Sequence, residues 1–165
     1  MIPQIGSAAS GLVIQRLTGT SGVNANLASL TEGLPGLRAI DPAQIRTGNI
    51  AQDLADRSTV VKYPSANVYC EKIINSQVEK FRTFSGTIQM SIDVRHSTDR
   101  VDNLQSHLET YADAVMGVLD VSSGDWGGGM YYGGGYQVAF GPVKQGGKNF
   151  IQTAKITFEI GVSIS

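Results

Sequence analysis

Residues 83–95, TFSGTIQMSIDVR, alternate without a break. Thr83, Ser85, Thr87, Gln89, Ser91, Asp93 and Arg95 are polar, and Phe84, Ile88, Met90, Ile92 and Val94 between them are apolar, with Gly86 the only gap. A repeat of two places successive side chains on opposite faces of a strand, so this segment predicts a long strand with one apolar and one polar face. A second such run closes the sequence. In NFIQTAKITFEIGVSI, residues 149–164, Phe150, Ala154, Ile156, Phe158, Ile160, Val162 and Ile164 form one face, and Gln152, Lys155, Thr157, Glu159 and Ser163 are assigned to the remainder. Between the two runs the period changes. Val101, Leu104, Leu108, Tyr111, Val115 and Val118 follow a 3-4-3-4-3 spacing, which is one stripe of an amphipathic helix over 98–119, with STD at 97–99 to cap it.

The other elements are weaker. VVKYPSANVYCEKII, residues 60–74, is rich in β-branched and aromatic residues and reads as a strand with Pro64 at an edge or bulge. YQVAF at 136–140 reads as the hairpin partner of the last strand. Residues 7–17 and 23–32 read as short helices, with Ser7 as N-cap of the first. The stretch 34–60, carrying Pro35, Gly36, Pro42 and Gly48, reads as a long irregular connection. The expected fold is α+β: a mostly four-stranded antiparallel sheet, one face covered by the long helix and a short N-terminal helix, in a single domain of 165 residues. The polar face, with Thr87, Gln89 and Ser91, is expected to look outward.

Composition bears on the surface. Only 16% of residues are charged, against about a quarter in ordinary domains, and Ser, Thr, Asn, Gln and Gly take their place. Small neutral polar groups are cheap to desolvate, so such a surface suits burial against other protein. The formal net charge of −1 supplies no basic field for gripping nucleic acid. Cys70 is the sole cysteine, too few for a disulfide or thiolate metal site, and reads as a small buried hydrophobe. No apolar run approaches the ~20 residues of a membrane-spanning helix, and the first segment lacks the basic start of a signal peptide.

Motif tests for chemistry come back empty. GDWGGGMYYGGG, residues 124–135, lacks the G-x-G-x-x-G spacing and follows a helix rather than a strand. GPVKQGGK, residues 141–148, has Gly147 where a phosphate-binding loop has its lysine. His96 and His107 could meet in space, yet no carboxylate or thiol cluster completes a metal site. No serine, cysteine or threonine is nominated as a nucleophile with a base. No catalytic, cofactor-binding or metal residue is expected, and no cofactor. The glycine-rich loop, with Trp126, Met130, Tyr131 and Tyr132, reads as a mobile tether presenting aromatic anchors; the plainer alternative is a floppy hairpin connection with incidental aromatics.

The order of elements, the strand entry YPSANVY at 63–69, the helix STDRVDNLQSHLETYADAVMGVL and the closing AKITFEIGVSIS together resemble the tail terminator (tail-completion) proteins of tailed bacteriophages and the related head–tail joining proteins. The likeness is one of architecture, covering residues 60–165 well and 7–33 loosely. It implies a non-enzymatic virion protein, made in the host cytoplasm and located in the tail or neck. Six copies would form a ring on the head-proximal end of the tail tube, stop its polymerisation, and join a neck or head-completion protein. Genome DNA would pass through the ring without sequence-specific contact. Residues 34–60 and 122–135 are longer than such a protein needs. Within the same class the rivals are another neck protein or a tail tube protein; from another class, a small ligand-binding domain or enzyme with a glycine-rich lid.

Overall fold

The computed structural model describes residues 3–30, 37–49, 62–146 and 148–165. Helices α1 (Ile5–Thr18) and α2 (Val23–Leu30) come first. A 3-10 turn at Pro42–Gln44 leads into the short strand β1 (Ile45–Thr47), followed by β2 (Ser65–Asn75) and β3 (Phe84–Thr98). Helix α3 (Val101–Asp120) follows, then β4 (Gly124–Gly127), β5 (Met130–Phe140), β6 (Lys144–Gly146) and β7 (Asn149–Ile164).

The sheet has seven strands in the order β1-β2-β3-β7-β5-β4, with β6 also on β7. The expected four strands are its long ones: β2, β3, β7 and β5. The expectation of a four-stranded antiparallel sheet is corrected in two ways. Three short strands are added, and β1 runs parallel to β2, so the sheet is mixed. It is also curled rather than flat. The hairpin of β5 with β7 forms as expected, from Met130↔Val162 to Phe140↔Ala154.

The register explains the core. Val68, Ile92, Ile156 and Val138 lie in one cross-strand row on the helix-facing side of the sheet. Leu104, Leu108, Tyr111, Val115 and Val118 of α3 are buried against that side, as their spacing predicts, while Val101 at the start of the stripe is 52% exposed. The helix begins at Val101 rather than 98, because Thr98 is still paired with Phe150 in the sheet. Thr98 Oγ1 accepts from the Arg100 amide at 2.9 Å and forms a turn rather than a helix cap. Helix α1 likewise starts before Ser7, with the Ala8 amide donating to the Gln4 carbonyl.

Helix α2 is pinned to α3 by Asn26, whose Nδ2 donates to the Ala114 carbonyl at 2.9 Å across Gly117; a Cβ there would sit 2.8 Å from that nitrogen. Asn24 grips the Ile40 peptide at both ends, and the Tyr111 hydroxyl donates to the Arg38 carbonyl at 2.7 Å. These bonds order part of the stretch read as irregular; residues 34–36 and 50–60 of that stretch lie outside the described residues. Gln152 corrects a face assignment. It shares the parity of Phe150 and Ala154, is buried, and donates to Gln105 and to the Gly141 carbonyl. Cys70 is half-buried rather than buried, because β2 is leaving the cover of α1 at that point.

Candidate assembly surface

The segment 122–135, expected as a loose loop, is the β4–β5 hairpin. Gly127, Gly128 and Gly129 have φ of +83°, +63° and +82°, a left-handed run that reverses the chain within three residues. At Gly129 the approach is also close: a Cβ would lie 2.1 Å from the Ser163 carbonyl oxygen. Strand alternation then decides the fate of the aromatics. Trp126, Met130 and Tyr132 point to the helix side and are buried, so three of the four anchors expected at the surface belong to the core. Trp126 Nε1 donates to the Ser122 carbonyl at 2.7 Å, and the Trp126, Tyr132 and Phe158 rings pack with centroids 5.4–6.4 Å apart. Burial pushes the Tyr132 hydroxyl up to about 12. Tyr131, of opposite parity, is 59% exposed.

Tyr131 shares the sheet's second face with the other predicted residues. One row there runs Ile74, Thr87, Gly161, Tyr131; the next runs Lys72, Gln89, Glu159; a third runs Tyr69, Ser91, Thr157, Gln137. The structure thus brings Thr87, Gln89 and Tyr131 together. Ser91 departs from expectation: it is fully buried, its short side chain enclosed between Tyr69 and Thr157. A concavity of about 620 Å³ opens between Thr87, Gln89, Tyr131 and Glu159. It exists because the register slips between Tyr132 and Tyr136, leaving Gly133, Gly134 and Gly135 as a bulge. A Cβ at Gly133 or Gly135 would meet nothing within 4 Å. Tyr136, after the bulge, turns its ring to the helix side, where its hydroxyl donates to Asp120 Oδ1 at 2.9 Å.

Beside the concavity lies a polar cluster that the sequence did not advertise. Tyr69 donates to Asp93 Oδ2 at 3.1 Å, and Arg95 Nη2 lies 3.5 Å from the same oxygen. Arg95 Nη1 donates to Asn67 Oδ1 at 3.1 Å. Burial raises the Asp93 carboxyl above its ordinary range, outweighing the downward pull of Arg95 and of the Tyr69 hydroxyl. Lys155 forms an ion pair with Glu71, which also accepts from Gln89 Nε2 at 2.9 Å. These residues sit two apart on neighbouring strands, so a single face gathers them; alternation alone marks each as polar but not as mutual partners.

At the other end of the sheet His96 and His107 do meet, with ring centroids 5.6 Å apart, and Tyr111 lies 5.1 Å from His96. Burial first, then the neighbouring His107 and Arg38, lowers the His96 imidazole to about 4. Among the described residues no group of three or more His, Cys, Asp or Glu converges as metal ligands. No helix among them is long and apolar enough to cross a membrane. No family model matches the chain, and no curated protein matches it.

Proposed function

We propose that this chain is a ring-forming virion subunit of the tail terminator kind, which caps the head-proximal end of a phage tail tube and joins it to the neck. The action is binding rather than catalysis. The observation that carries the reading is the pair of open edges on opposite sides of one sheet. Strand β1 covers β2 only along Ala66–Val68, and β4 covers β5 only along Met130–Tyr132. Among the described strands, Tyr69–Asn75 on one side and Tyr136–Phe140 on the other therefore present edge backbone to a neighbour. Different surfaces at the two ends of a subunit favour head-to-tail contacts, and these close into a ring when the rotation allows. The neutral polar second face suits apposition to other protein, and the near-zero net charge suits a channel through which DNA slides.

A lid reading of residues 124–135 finds little support, because Trp126, Met130 and Tyr132 anchor that hairpin in the core. The test is co-assembly with a tail tube protein. The reading expects capped tubes of limited length with a ring of density at one end. Long tubes built of this chain alone would instead make it a tube protein, and tubes that grow unchanged in its presence would reject both.

A further inference from the structure

Every residue from 71 to 83 is exposed, although the segment is a β-hairpin: β2 and β3 stay paired as far as Asn75↔Gly86, well past the helices. The tip of this arm is apolar. Phe81 is 100% exposed, Val78 77%, and Ile73 and Ile74 lie below them with about half their surface free. Phe81 also holds φ at +65°, a conformation that a bulky residue adopts rarely and at a cost. The arm is nevertheless well tied. The Glu79 amide donates to Ser85 Oγ at 2.9 Å and the Ser85 amide to Asn75 Oδ1 at 3.1 Å. Arg82 pairs with Glu79 at 3.0 Å, and Ser163 Oγ donates to Glu79 at 3.1 Å. A phenyl ring held out in water by an ordered, strained turn is a preorganised anchor.

The same chain carries a fitting receptor. The concavity of about 620 Å³ has an aromatic wall in Tyr131 and a floor without side chains at Gly133 and Gly135. Phe81 does not occupy it within its own chain, being fully exposed. Charge agrees with shape. Lys80 adjoins Phe81 on the arm, Glu159 lies on the concavity wall, and neither has an ion-pair partner among the described residues.

We infer that the arm of residues 71–83 docks Phe81 into the Gly133–Gly135 concavity of a second copy of this chain, with Lys80 meeting Glu159. The choice of a second copy rests on the ring reading above and names the contact through which ring neighbours hold each other. Donor and receptor are different surfaces, so the contact is head-to-tail and each copy both gives and receives.

The experiment measures self-association of the full chain by sedimentation and native mass. Phe81→Ser removes the donor, and Gly133→Leu fills the receptor where a side chain has open space. Both variants should keep the wild-type circular dichroism, and each should weaken self-association by about thirtyfold, the loss of one interfacial anchor. Mixed together they should form a one-to-one heterodimer that grows no further, because only one intact donor and one intact receptor remain. Lys80→Glu should weaken association, and adding Glu159→Lys should restore it. Wild-type chain that stays monomeric at all concentrations, a Phe81→Ser chain that associates normally, or a mixture that gives no heterodimer each overturns the inference. The two proposals separate cleanly. Capping of tail tubes by Phe81→Ser chains with wild-type efficiency leaves the terminator reading standing and removes the arm; arm-dependent rings that fail to cap tubes do the reverse.

Discussion

The guanidinium of Arg16 lies 4.6 Å from the centroid of the Trp126 ring. It reaches from α1 to cover an indole that strand alternation has already turned inward. One residue read as a surface anchor is in this way enclosed between the first helix, the end of α3 and the sheet.

Trp126→Ala should therefore lower stability by about 3–4 kcal/mol, the loss expected for a large core side chain. Tyr131→Ala, on the exposed side of the same hairpin, should stay within about 0.5 kcal/mol of wild type. Arg16→Met should lose roughly 0.5–1 kcal/mol of cation–π attraction. Urea unfolding measures all three, and a larger loss at Tyr131 than at Trp126 would contradict the assigned faces.

Arg95 and Asp93 are both nearly enclosed, so removing the cation leaves a buried carboxylate with only the Tyr69 hydroxyl against it. Arg95→Met should cost about 3 kcal/mol near neutral pH, and Asp93→Leu added to it should recover most of the loss. The pH dependence has a definite sign. Burial raises the folded-state Asp93 value, so its contribution is complete below the ordinary carboxylate range and is lost as pH rises through the raised value. The deficit of Arg95→Met should accordingly grow from acid toward neutral pH in urea titrations. A deficit largest in acid would mean that the carboxylate is not the strained partner.

His96 behaves in the opposite sense. Its imidazole is lowered from the ordinary 6.5 to about 4, so the fold favours the neutral ring. Stability from this group is complete above about 6.5 and is lost as pH falls toward 4, by roughly 2 kcal/mol after solvent screening. His96→Phe should flatten that part of the acid limb, and proton NMR of the imidazole should show it neutral at pH 5.5. An imidazole that titrates near 6.5 would refute the burial assigned to it.

The glycine turn gives two unequal substitutions at adjacent residues. Gly129→Ala forces a Cβ against the Ser163 carbonyl at 2.1 Å as well as into a positive φ, and should cost about 2–4 kcal/mol. Gly128→Asn places a side chain that tolerates the left-handed region into open space and should cost under about 1 kcal/mol. Comparing thermal midpoints of the two variants checks the turn. Equal losses would mean that the approach to β7 is not as close as described.

What could be read from the residues was what repeats locally. The alternation of 83–95 and the stripe of α3 each encode their own element, and both elements form, although α3 begins at Val101 rather than 98. Strands β1 and β6 have three residues each and β4 has four, too few to show a period, and the parallel seat of β1 on β2 pairs Ile45 with Ala66, far along the chain. In the hairpin, Trp126, Met130 and Tyr132 do alternate in space, but three glycines between the first two interrupt the count along the chain. The burial of Ser91 and the Asp93–Arg95 cluster arise from rows across three strands, which one strand's pattern does not reveal. The bulge that opens the concavity is likewise a mismatch between β5 and β7 rather than a property of either.

Strand β7 lies between β3 and β5 at the middle of the sheet, yet it is the last of the described strands to leave the ribosome. Until residue 164 has emerged, β3 and β5 have no common neighbour, and the apolar stripe of α3 has only half a surface to cover. The nascent polypeptide therefore carries the apolar faces of β3, α3 and β5 unsheltered until β7 has emerged, and the closure of the sheet is committed to the arrival of that one strand.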